Sequence, residues 1–179
     1  LHVPVESASA VYQSLMRTGE QYGIVNAGYR AIESLRLEKG YRAWGADIGP
    51  DYTPLEAGLG WALDLKSARP FIGREAILAQ KQQSLSKSLC CFTLADENVV
   101  LLGRETIYRN GERVGWLSSA GWGYTTNTNI GYGYVRDADG VDQAYLRSGS
   151  YELEVASERI ACEIQFEALY DPKMERMKA

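Results

Sequence analysis

The sequence predicts an α+β chain in which a helical front part gives way to an antiparallel β part. Three observations carry that expectation. Apolar residues recur at helical spacing through much of the chain up to about Gln83. From Ser88 onward the period falls to two and stays there, in short runs bounded by turn residues. Between Gln82 and Ser88, Gln, Ser and Lys crowd together as they do at a boundary between parts. The expected domains are residues 1–86 and 87–179.

Taken in order, Leu1-His2-Val3-Pro4-Val5 has the alternation of a strand already under way and no initiator Met, as though the chain had been cut from something longer. Ser7 is placed to cap a helix carrying Ala8, Val11, Tyr12, Leu15 and Met16, with Gly19 as its stop. Asn26 can cap a second helix bearing Ala31, Ile32 and Leu35 that closes at Gly40; Arg30, Glu33 and Leu37 share its flank. From Tyr41 to Gly60, glycine and proline interrupt every long element, which predicts a shaped loop of the kind that often carries function. Inside it Thr53-Pro54-Leu55-Glu56 is a capping box leading into one or two turns. Trp61 to Leu65 alternates like a strand, and Gly73 to about Gln83 reads as a last helix.

In the β part, Leu89–Leu94 opens the series. Tyr108 to Val114 holds Asn110-Gly111 between strand-like flanks, the signature of a two-residue hairpin turn. Tyr132–Val135 is a further strand, ended by Asp137 to Gly140. Tyr151 to Val155 and Ile160 to Phe166 make a second hairpin across Ala156 to Arg159. Short, regularly spaced strands of this kind favour a small barrel or a sandwich.

Composition excludes several function classes. Acidic residues outnumber basic ones, 23 to 19, and Lys and Arg form no single-sign stripe, so nucleic acid is not an expected partner. No apolar run reaches the length needed to span a bilayer, so no membrane partner is expected either, and the expected location is cytoplasmic or matrix-like. Three cysteines, Cys90, Cys91 and Cys162, form no C-x-x-C pair and lack histidine neighbours, which argues against a metal site. They read as free thiols, and neighbouring strand residues point to opposite faces, so at most one of Cys90 and Cys91 can face a given core. There is no nucleotide-binding glycine loop, no nucleophile elbow, and only one histidine, His2, which is given no catalytic role.

The run Asn26-Ala27-Gly28-Tyr29-Arg30-Ala31-Ile32-Glu33-Ser34-Leu35-Arg36-Leu37-Glu38-Lys39-Gly40, continued through Trp44-Gly45-Ala46-Asp47 and Thr53 to Leu59, resembles the aminomethyltransferase family typified by the glycine-cleavage T-protein. Its wording is that of the folate-binding C-terminal part of sarcosine and dimethylglycine dehydrogenases. Gly111 to Ala120 and Ile130 to Val135 resemble the family's C-terminal barrel, and the resemblance extends over nearly the whole chain except the final dozen residues. It implies a truncated folate-binding domain followed by an antiparallel β-barrel. It also implies a reaction in which tetrahydrofolate captures a one-carbon unit, with FAD confined to an N-terminal dehydrogenase region of the same parent chain.

On that resemblance, Arg30 matches a ligand-contacting arginine, and a planar guanidinium suits the carboxylates that end folate. Tyr29 and Trp44 offer rings to its flat portion, with core packing as the plainer role. Without the resemblance Arg30 reads as the partner of Glu33 in a helix-surface ion pair. Asp47 in a Gly-rich loop, and Glu56 in the capping box, read as structural. The family's acidic pterin contact and a second acidic group fall ahead of Leu1, so no catalytic residue is assigned and the chain alone is expected to be inactive. The alternatives are a T-protein proper, which needs a lipoyl-carrier partner, or a regulatory relative like the pyruvate dehydrogenase phosphatase regulatory subunit. The sequence leaves open whether two copies pair as a homodimer through an exposed edge.

Overall fold

Asn110 and Gly111 both take left-handed backbone conformations, φ 52° and 86°, and so close the tight turn that joins the first hairpin of a barrel. The structure is a computed structural model that describes residues 1–178. The chain divides into two compact units, Leu1–Ile32 and Glu33–Ala179.

The first unit holds a helix, α1 (Val5–Gly19), continued by a 3-10 turn over Glu20–Tyr22. The opening strand expected from Leu1 to Val5 is not formed: the helix begins at Val5 behind Pro4, whose carbonyl accepts from the Ser7 amide at 3.0 Å. Proline supplies a fixed φ there and needs no hydrogen bond, so it takes the boundary three residues before Ser7, which lies inside the helix. Gly19 is the helix's last residue, and the Ile24 amide returns to its carbonyl at 3.1 Å. Asn26 caps nothing. Its amide and the Tyr12 hydroxyl bond each other across the unit at about 3 Å, and the next helix starts three residues later.

That helix is α2 (Tyr29–Glu38), closed by Gly40 at φ 74° as expected. Beyond residue 32 its buried positions are Ser34, Leu37 and Glu38, at the three- and four-residue spacing of one helical face. Ser34 donates to the Trp122 carbonyl at 2.6 Å. The Glu38 carboxylate, 1% exposed, accepts from the Thr125 and Thr126 amides at 2.6 and 3.2 Å. In the loop that follows, the capping box forms: the Thr53 amide donates to Glu56 at 2.8 Å and the Glu56 amide to the Thr53 hydroxyl at 3.3 Å. It supports only a turn, because Gly58 enters the left-handed region at φ 67°. Trp61 to Leu65 is no strand; a 3-10 turn at Gly60–Ala62 passes into bends, and it has no neighbouring strand to pair with. Helix α3 (Arg74–Lys81) matches the expected last helix of this part.

Six strands follow: β1 (Lys87–Leu94), β2 (Thr106–Arg109), β3 (Glu112–Gly123), β4 (Thr128–Arg136), β5 (Tyr151–Val155) and β6 (Glu158–Gln165). They close into an antiparallel barrel in the order β1-β4-β3-β2-β5-β6, which decides between barrel and sandwich. The β5–β6 turn is tighter than expected, with Ala156 and Ser157 alone at positive φ. A short helix, α4 (Gln143–Ser148), was not foreseen; Asp142 caps it by accepting from the Tyr145 amide at 2.7 Å. The tail ends in α5 (Glu175–Lys178), and Lys39 pairs with Asp171 at 2.7 Å.

The barrel wall has two apolar faces. Inward, Cys90, Phe92, Ile107, Leu117, Val135 and Leu153 form the barrel core. Outward, Leu89, Cys91, Ile130, Tyr132 and Tyr134 pack with Leu37 of α2. Strand period explains why adjacent cysteines are both buried, one in each cluster. In β4 the same period sets Gly131 and Gly133 inward, alternating with outward Ile130, Tyr132 and Tyr134; a Cβ on Gly131 would lie 2.5 Å from Leu117 Cδ1.

Leu117→Ala is expected to cost about 2–5 kcal/mol in urea unfolding. Gly131→Ala should destabilise the native chain by about 1–3 kcal/mol through overpacking, and by less in the Leu117→Ala background. Strict additivity of the two would show that the glycine is not there to admit Leu117.

Candidate functional site

A buried Asp would be costly if its oxygens lacked donors, and Asp47, fully buried, has all of its needs met. Arg36 of α2 reaches it through Nη1 at 2.6 Å, the Ala43 amide donates at 2.9 Å, and the hydroxyls of Ser118 and Ser119 donate at 2.5 and 2.6 Å. Its backbone carbonyl accepts from the Tyr134 hydroxyl at 2.9 Å. Helix, loop and barrel thus converge on one carboxylate. The structural role expected for Asp47 is what these contacts describe.

Two consecutive strand residues ordinarily face opposite ways, so Ser118 and Ser119 should not both reach Asp47. A register shift in β3 between Leu117 and Ser119, opposite β4, resolves this: the bulge inserts one residue and turns both hydroxyls to the same side. Sequence reasoning missed Arg36, Ser118 and Ser119. A Ser-Ser pair inside a strand pattern was the available signal, since a bulge is one of the few ways to use both.

The hub fixes the loop that carries Trp44. The Ala43 amide is tied to Asp47, Gly45 at φ 89° reverses the chain, and the Gly45 amide donates to the Ile48 carbonyl at 2.8 Å. Trp44 bridges to Ile48 through its backbone while its side chain is left 75% exposed. Within this unit the ring is not packed in the core. Tyr29, at the first turn of α2, is 77% exposed, and Arg30 beside it is also exposed. The Glu33 carboxylate, named above as an ordinary partner for Arg30, is held instead by Arg36 at 2.8 Å. Arg30 and Tyr29 lie in the first compact unit and Trp44 in the second. Glu56 keeps its capping role and sits 3.7 Å from Lys87.

The thiols are chemically quiet. Burial pushes Cys90, Cys91 and Cys162 each up to about 12. Burial also raises the hydroxyls of Tyr132 and Tyr134 well above the usual tyrosine value. Among the described residues no helix is long and apolar enough to cross a membrane.

Two family models match the chain in succession: the GCVT N-terminal domain over residues 1–67 and the glycine cleavage T-protein C-terminal barrel domain over residues 87–171. Mitochondrial sarcosine dehydrogenase of Mus musculus is 44% identical over 180 residues, taking in 99% of this chain and 20% of that protein. The mitochondrial pyruvate dehydrogenase phosphatase regulatory subunit of Mus musculus is 38% identical over 170 residues, 89% of this chain and 19% of that protein. The chain thus spans about a fifth of the length of these relatives. Among solved structures, the glycine cleavage system aminomethyltransferase T from Bartonella henselae superimposes with a TM-score of 0.77 at 26% identity, covering 95% of this chain and 45% of that one.

Asp47→Ala removes one of the two carboxylates on a largely buried guanidinium, strands the Ser118 and Ser119 hydroxyls, and is expected to cost about 2–5 kcal/mol of stability, read from the urea midpoint. A loss below about 1 kcal/mol would mean that the hub is not what joins α2 to the barrel. The burial of Cys90 and Cys91 predicts that iodoacetamide at pH 8 leaves both unmodified in the folded chain and alkylates them in urea, as mass spectrometry would report. Rapid native labelling of either would contradict its burial.

Proposed function

The chain belongs to the glycine-cleavage T-protein, or aminomethyltransferase, family, and from that premise we propose that it is the tetrahydrofolate-binding region of a longer one-carbon transfer enzyme. The parent on this reading is a flavin-linked dehydrogenase of an N-methylated amino acid such as sarcosine or dimethylglycine. The observation that supports it most is the pairing of both family domains, in order, with near-complete coverage by a sarcosine dehydrogenase. The two working parts are taken as residues 1–86, completing the folate domain, and 87–179, the barrel.

The residues available fit such a cofactor chemically. An exposed guanidinium at Arg30 can take a carboxylate through a planar fork, and its natural helix neighbour is already engaged by Arg36. The exposed rings of Tyr29 and Trp44 can lie against a flat heteroaromatic system. Tetrahydrofolate, when bound, supplies the nitrogen that takes up the one-carbon unit. This chain's own share is to bind and orient: Arg30 is assigned to the acidic end, and Tyr29 and Trp44, each taken by itself, offer a ring to the flat portion. FAD and the carboxylates that act on the reacting nitrogen belong to the upstream part of the parent. The parent is placed in the mitochondrial matrix if eukaryotic, and in the cytoplasm otherwise.

A second reading is favoured by one observation, the similarity to a phosphatase regulatory subunit over most of the chain. On it, the same architecture serves assembly, not turnover. Folate binding by the longer chain separates the two.

In titration calorimetry of the longer chain with tetrahydrofolate, Arg30→Ala is expected to weaken binding by about 1–3 kcal/mol, the range for a charge-assisted contact. Unchanged affinity would remove Arg30 from the site. No binding by the parent at all would favour the regulatory reading.

A further inference from the structure

Arg36 and Arg42 flank the same turn and differ in how far their donors are used. Arg36 is closed: its guanidinium meets Glu33, Asp47, the Ser119 hydroxyl and the Tyr41 carbonyl. Arg42 is open. Nε donates to the Ala57 carbonyl at 3.1 Å and Nη1 to the Gly40 carbonyl at 2.5 Å, both uncharged acceptors. Among the described residues no carboxylate forms an ion pair with it. A guanidinium has more N–H donors than these two contacts use, and among the described residues none accepts from Nη2, whose two hydrogens remain for a charged acceptor.

That side chain lines a cleft of about 420 Å³ in the second compact unit, bounded by the turn at residues 39–42, the outer barrel wall at Cys91 and Tyr132, and the tail from Phe166. The size lies within the range of small-ligand pockets, about 300–1,000 Å³. Gly58, on the same wall, has φ 67°, and a Cβ there would sit 2.9 Å from Arg42 Nη2. Glycine therefore leaves room for Nη2 that a side chain would take. Two further facts place the charge in the cleft. Burial pushes the Cys91 thiol up, and the Arg42 charge opposes that rise; the same is true of the Tyr132 hydroxyl. The other cation of the cleft, Lys39, is neutralised by Asp171 at 2.7 Å, and Glu167 at the rim is exposed. Leu89, Leu146 and Phe166 add apolar surface.

We propose that this cleft binds a small organic carboxylate with an apolar body, recognised by the unused donors of Arg42. The site uses none of the residues assigned to folate, so its failure leaves that reading standing. Two carbonyls hold the guanidinium in place beforehand, which limits the ordering cost of binding. The apolar walls lower the local dielectric and strengthen the charge contact.

The test uses this chain with benzoate and its neutral analogue benzamide, followed by amide chemical shifts and calorimetry. Benzoate should bind saturably, at least about tenfold more tightly than benzamide, with shifts centred on Cys91, Tyr132 and Ala168. Arg42→Gln should abolish that preference. Gln143→Glu sets a negative charge on an exposed cleft residue without touching the core; it should weaken benzoate severalfold and leave benzamide unchanged. Equal affinity for the two compounds, shifts lying outside the cleft, or a preference that survives Arg42→Gln would overturn the proposal. If Arg42→Gln does not fold, an unchanged benzoate affinity in Gln143→Glu overturns it equally.

Discussion

One buried carboxylate joins the parts of the larger unit. An ionised Asp withdrawn from water costs several kcal/mol unless donors surround it, and those donors must come from whatever is packed there. Around Asp47 they come from α2, from the loop's own backbone and from two barrel serines. A different docking of the helix on the barrel would leave Arg36 or Asp47 desolvated and alone. The contact therefore acts as a selector of one arrangement more than as a source of net stability. The buried Glu38 carboxylate, two residues beyond Arg36, repeats the device by receiving the β3–β4 turn amides.

The parts of this fold that were legible are those whose chemistry is local. Asn110-Gly111 can close only one sort of turn, and Thr53 with Glu56 satisfy each other whatever lies around them. Alternation in β1 and β4 predicted strands and, through the adjacent cysteines, two separate faces. What escaped depended on partners distant in sequence. Trp61 to Leu65 has a strand's pattern and no edge to join. Asn26 has a cap's chemistry but meets the Tyr12 hydroxyl. Pro4 starts a helix that the alternation around it disguised.

For the candidate site the division is similar. The identities of Tyr29, Arg30 and Trp44 came from a family resemblance, not from spacing, and their exposure is information that only coordinates supply. The role of Asp47 was readable in outline because Asp in a glycine-rich loop commonly serves the backbone. Its partners were not, since Ser118 and Ser119 lie more than seventy residues away. The unused Nη2 of Arg42 is of the same kind: a statement about which neighbours are lacking cannot be made until the neighbours are known.

The bulge in β3 has a consequence for how this barrel tolerates change in length. Deleting a residue between Leu117 and Ser119 would restore a regular ladder, which in isolation is the better-bonded state. Leu117 would stay opposite Gly133 and Ser119 opposite Tyr132, so the side chains beyond the repair would keep their faces, and what would be lost is the Ser118 hydroxyl that donates to Asp47. The irregularity is thus a local insert: it sets one more hydroxyl on the carboxylate's side than strict alternation allows. Insertions and deletions in relatives should accordingly gather in the loops and spare this short stretch.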